Sequence, residues 1–80
     1  MNVVVTGTKT VDEFKNKRDE MEQLAIKCYK HHKKPLGSKW DKGEPVKVWY
    51  SVDDNICVQY MNGSCYKYRI YDNYKRVKLE

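Results

Sequence analysis

Cys28 and His32 stand four residues apart in a stretch with helical spacing, so a thiol and an imidazole share one face. Cys57 and Cys65 could complete four ligands of a tetrahedral zinc site. A structural metal would suit so short a chain. The paired CxxC or HxxxH spacings of such sites are missing, however, and free cysteine usually behaves as a small buried hydrophobe. No metal and no cofactor is therefore expected. Cys57 and Cys65 would lie diagonally on neighbouring strands, about 7 Å apart and beyond the usual reach of a disulfide.

Catalysis fares no better. Nucleophilic chemistry needs a thiol, a base and an orienting group that converge in a cleft. His31 and His32 instead fall among Lys30, Lys33 and Lys34 at a helix end, where solvent and the helix dipole account for them. Asp53 and Asp54 are turn formers, and no glycine-rich phosphate loop is present. A two-layer domain of this size rarely encloses a pocket, so the sequence predicts a protein that is not an enzyme.

What remains is recognition. Lys47, Trp49, Gln59, Lys67 and Arg69 alternate with apolar residues and would share the outer face of a sheet, with Cys57, Cys65 and Tyr71 beside them. Basic side chains around a tryptophan suit a protein hot spot, where Trp, Tyr and Arg are the enriched anchors, and equally suit phosphate contact with base stacking. Trp49 could also be covered, by the loop that carries Trp40 or by a terminal strand. Lys30, His31, Lys33 and Lys34 form a second basic cluster, which would extend the first only if the fold sets the two side by side.

These residues need a helix and a meander to position them. Thr10 and Glu13 make a capping box, Pro35 and Gly37 punctuate the far end, and a helix over about 11–33 is predicted between them. At about 100° per residue Phe14, Met21, Ala25, Cys28 and His32 form one stripe, with Leu24 at its edge. Acidic residues fill its first half and lysines its second, as the helix dipole favours. Residues 35–45 read as an ordered loop anchored by Trp40.

From Val46 the period becomes two. Val46, Val48, Tyr50 and Val52 alternate with polar residues, and so do Ile56, Val58 and Tyr60. A three-residue turn with a left-handed Asn55 would pair Val52 with Ile56, Tyr50 with Val58 and Val48 with Tyr60. The stretch NICVQYMNGSCYKYRI (55–70) has two registers. A two-residue Asn62-Gly63 turn would turn Lys67 and Arg69 into the core. A Met61-Asn62-Gly63 turn with Gly63 left-handed pairs Val58 with Tyr66 and Ile56 with Tyr68, and burial selects it. Tyr60, Tyr66 and Tyr68 then line the core, Cys28 looks inward, and Cys57 and Cys65 face solvent. A turn at Asp72-Asn73 would return an edge strand with Val77 and Leu79 inward, and the N-terminal NVVVT could supply another edge strand. The predicted fold is α+β: one long N-terminal helix on one face of a three- to five-stranded antiparallel β-meander over about 45–79, within a single domain over 1–80.

Composition sets the bounds. Eighty residues, 40% hydrophobic and 34% charged, make one thin-cored folded domain. Three cysteines, an odd number, and a first segment unlike a signal peptide point to a cytoplasmic setting. No apolar segment approaches the roughly 20 residues a membrane span requires, and the final Leu-Glu carries no weight. The net charge of +5 permits phosphate or acidic partners and is also an ordinary solubility surplus. Small basic domains of this kind are common among accessory proteins of phages and mobile elements, which is an association only. The sequence thus predicts an interaction or regulatory protein that docks on a protein partner in nucleic-acid-handling machinery, with direct, weakly sequence-selective nucleic-acid binding as the alternative. It leaves the oligomeric state open.

Overall fold

The computed structural model describes all 80 residues, Met1–Glu80. The chain runs β1 (Asn2–Val3), α1 (Val11–Lys33), a single 3₁₀ turn at Gly37–Lys39, β2 (Pro45–Tyr50), β3 (Ile56–Tyr60), β4 (Cys65–Tyr71) and β5 (Arg76–Leu79). The strands lie side by side in chain order, and α1 covers one face. The architecture is α+β, as the alternation of periods predicts.

The helix starts at its cap. Thr10 Oγ1 accepts from the backbone N–H of Glu13 at 3.1 Å, while the Glu13 carboxylate accepts from Lys9 N–H at 2.8 Å, one residue before the cap itself. Met21, Leu24, Ala25 and Cys28 bury against Val48, Ile56, Val58, Tyr60, Tyr68 and Val77. Phe14, expected on that stripe, stays 40% exposed. The 23-residue helix is about 34 Å long, whereas strands of five to seven residues span about 17–24 Å, so its first turns overhang the sheet.

β1 pairs with β2 in parallel, which corrects the expectation of a wholly antiparallel sheet. The two strands are joined through α1, which supplies the long crossover that a parallel pair needs. Between β2 and β3 the register is Tyr50 with Ile56 and Val48 with Val58, two residues away from the expected one. Ser51 closes a longer loop: its N–H donates to Asn55 O at 2.8 Å, its carbonyl accepts from Asp54 N–H at 3.1 Å, and its Oγ accepts from Asn55 N–H at 3.2 Å. Asp54 (φ 61) takes the left-handed position assigned to Asn55, and Val52 projects fully into solvent. A slip of two keeps parity, so Val48 and Tyr50 still face inward. Val46 does not, because a bulge between Pro45 and Lys47 leaves it 38% exposed.

The β3–β4 register is the predicted one. Ile56 faces Tyr68 and Val58 faces Tyr66 across a Met61–Gly63 turn with Gly63 at φ 89. β5 returns after a four-residue turn, Asp72 to Lys75, in which Asp72, Asn73 and Tyr74 all have positive φ. Val77 is buried as expected. Leu79, opposite Tyr68 on the outermost strand, has no neighbour beyond it and stays 40% exposed. No helix is long and apolar enough to cross a membrane.

Candidate anion-binding surface

The outer face of the sheet carries the predicted residues in cross-strand rows. Lys47 pairs with Gln59 and Gln59 with Cys65; Trp49 pairs with Cys57 and Cys57 with Lys67; Arg69 pairs with Lys78, and Tyr71 with Arg76. Trp49 is half-buried, with Lys47 Nζ 5.3 Å from its ring centroid. Cys65 is exposed as expected, but Cys57 is buried on this face, between the longer side chains of Trp49 and Lys67. Burial pushes the Cys57 thiol up, so it stays protonated and unreactive at neutral pH. Lys67 Nζ lies 3.4 Å from Asp53 Oδ2. A hydrogen bond from the Ser51 hydroxyl, above all, holds the Asp53 carboxyl below the usual carboxylate range.

Lys30, His31, Lys33 and Lys34 project from the other layer, at the exposed end of α1. Lys33 Nζ sits 3.1 Å from Tyr29 Oη and folds over that ring. His31 alone of the four reaches the hairpin. It lines a groove of about 310 Å³ with Lys27, Tyr71, Lys75, Arg76 and Val77. Tyr71 also lines a second depression of about 320 Å³ with Arg69 and Lys78 on the outer face. Of the two predicted basic groups only His31 and Arg69 reach β5, where they are joined by residues that were not among the candidates: Lys27, Lys75, Arg76 and Lys78. Lys30, Lys33 and Lys34 stand beside this band and do not line it.

Two contacts hold the groove's walls. The Lys27 ammonium donates to the Tyr74 carbonyl, which ties the helix to the β4–β5 turn, and Arg76 Nε lies 3.5 Å from Asp72 Oδ2. A charge asymmetry that is invisible in either half of the chain explains the field here. Residues 24–39 hold five lysines and no acid, and residues 65–79 hold five Lys or Arg against Asp72 alone. The fold packs these two segments against each other, and most carboxylates lie elsewhere, in the first half of α1 and in the loops after it and after β2.

The candidate metal ligands are dispersed. Cys28 is fully buried in the core and its thiol is pushed up to about 12, chiefly by desolvation. His32 Nδ1 lies 2.7 Å from Tyr68 Oη, whose own oxygen is 2.6 Å from Tyr60 Oη. The imidazole is walled edge-on by Trp40 and Tyr66, each with a ring centroid 4.9 Å away. Burial first, then the charges of Lys42 and His31, lower its pKa. Trp40 Nε1 donates to Gly43 O at 2.8 Å and Lys42 Nζ sits 4.9 Å from the Trp40 ring, so this cluster pins the predicted loop to the core.

Comparison with protein-family models, with curated proteins and with solved structures returns no match to this chain. The functional reading rests on the surface alone.

Proposed function

We propose that the chain is a non-enzymatic binding protein of nucleic-acid-handling machinery, and that it contacts nucleic acid directly through the basic band around β5. One observation carries the reading: Lys27, His31, Lys75 and Arg76 line one groove whose Tyr71 continues into the Arg69–Lys78 depression on the outer face. Lysine and arginine charges gathered in a concave site attract a polyanion more strongly than the same charges spread on a convex surface, because their fields add within the groove. Phosphates so neutralised release counterions, and affinity then falls with salt in proportion to the contacts made.

Fluorescence anisotropy with labelled DNA and RNA at two salt concentrations tests this. The expected result is a log–log salt slope of roughly −0.7 to −0.9 per phosphate contacted, and a shallower slope for an Arg69→Gln/Lys78→Gln variant. Failure of every oligonucleotide to bind at low salt refutes it. Docking on a protein partner through Lys47, Trp49, Gln59, Lys67 and Arg69 is the second reading, and it is favoured by the half-buried Trp49 under Lys47. It takes precedence if Trp49→Ala abolishes capture of a partner while nucleic-acid affinity is unchanged.

A further inference from the structure

We infer that the ligand of the basic band is a single-stranded polynucleotide, with Tyr71 as the platform on which one base stacks. This rests on the nucleic-acid reading above and narrows it by two observations.

The first is the path of the band. Arg69 and Lys78 belong to the outer face of the sheet, whereas Lys27 and His31 belong to the helix layer that covers the inner face. The band therefore turns a corner at β5, on a molecule whose principal extents are 41 × 27 × 19 Å. Duplex DNA is stiff over about 500 Å, so it lies against one face as a straight rod and leaves the other half of the band empty. A single strand has no such stiffness and can follow the turn.

The second is the residue at the corner. Tyr71 is 41% exposed and lines both depressions, with cations before and after it along the path. An unpaired base presents a π-face between consecutive phosphates, which matches that order of cation, ring and cation. In a duplex the faces of the bases are stacked inside, and an exposed ring meets only sugar and phosphate. Because the charged groups lining the two depressions are lysines and arginines that address phosphate, single-stranded DNA and RNA of similar base composition bind alike.

The test uses the full chain with labelled oligo-dT and oligo-U of about 12 nucleotides, within the length one small domain covers, and a duplex of equal length. The expected order is single strand tighter than duplex, with dT and U within a few-fold of each other. Tyr71→Leu keeps an apolar side chain but removes the ring, and should weaken single-strand binding at least about fivefold while leaving duplex binding unchanged. Tyr71→Phe should bind like the parent. Thermal melts of both variants confirm folding. Single-strand affinity that is insensitive to Tyr71→Leu, duplex binding as tight as single-strand binding, or oligo-glutamate that competes as well as oligo-dT would each overturn the inference while leaving an anion-binding band in place. Absence of binding to all of the oligonucleotides overturns both readings.

Discussion

Replacing Tyr68 by phenylalanine removes one oxygen from the centre of a buried relay. Tyr60 Oη, Tyr68 Oη and His32 Nδ1 follow one another at 2.6 and 2.7 Å. Only one direction of proton donation satisfies every hydroxyl: Tyr60 donates to Tyr68, and Tyr68 donates to a neutral His32. The reverse direction leaves the Tyr60 proton without an acceptor. Tyr68→Phe therefore orphans two groups, the Tyr60 hydroxyl in a fully buried residue and Nδ1 of a half-buried ring. An unsatisfied buried group costs about 1–3 kcal/mol; with the solvent-reachable imidazole at the low end, the sum is about 2–4 kcal/mol. Tyr60→Phe removes only the terminal donor, leaves Tyr68 bonded to His32, and costs about 1 kcal/mol. For a chain of this size each kcal/mol moves Tm by about 4–8 °C, so Tyr68→Phe should lower it by about 10 °C or more and Tyr60→Phe by about half that or less. Urea unfolding followed by tryptophan fluorescence reads both, because the Trp40 ring lies 5.1 Å from Tyr60. The double variant leaves no orphaned hydroxyl, so its cost should fall short of the sum of the two single ones. A Tyr60→Phe cost equal to that of Tyr68→Phe, or strict additivity in the double variant, refutes the directional relay.

Two further outcomes follow from the same packing. The depressed pKa of His32 makes the unfolded chain bind the proton first, so stability is complete above the ordinary value of 6.5 and declines as pH falls below it; His32→Gln should flatten that limb in melts between pH 7 and 5.5. Gly43→Ala should cost about 2–4 kcal/mol in urea titrations, because φ is +76° and the new Cβ would stand 2.7 Å from Met61 Cβ, whose backbone is pinned by hydrogen bonds to Glu44 O and from Asn62 to Lys42 O. Gly7→Ala, at similar φ but with open space around it, should cost only the backbone part.

How far the sequence could be read depended on which errors burial punishes. The helix limits of Val11 and Lys33 and the β3–β4 register were legible. A misplaced cap leaves N–H groups unpaired, and a one-residue slip would bury Lys67 and Arg69. The β2–β3 register was not legible, since a slip of two residues leaves every side chain on its own face, and hydrogen bonds of Ser51 decide it. The parallel direction of β1 could not come from two residues of pattern. It needs the crossover through α1 that separates β1 from β2, a topological fact rather than a local one. The same holds for the candidate site. Trp49, Lys47, Gln59, Lys67 and Arg69 share a face through strand alternation, which the sequence displays. Lys27, Lys75 and Arg76 come together only because the Asp72–Lys75 turn brings β5 beside α1, and the same turn sets Lys78 against Arg69 on the outer face. The available signal was the paucity of acids in 24–39 and 65–79, and it is lost when charge is counted over halves of the chain.

A competing account of the β5 cations is that they guard an edge. An outermost strand exposes unpaired N–H and C=O groups, and charged side chains, lysine above all, discourage pairing with another chain. Arg76 and Lys78 on β5 fit that role without any ligand. Edge protection, however, acts along the strand that needs it. It does not call for Lys27 and His31 on the helix across the groove, for a lysine in the turn, or for a tyrosine 41% exposed among them. Helix solvation would explain the lysines of α1 separately, but not the hydrogen bond that Lys27 makes to the Tyr74 carbonyl across the groove. Lysines and arginines on both sides of an exposed ring fit the phosphate-and-base ligand proposed above, and edge protection alone does not account for that placement.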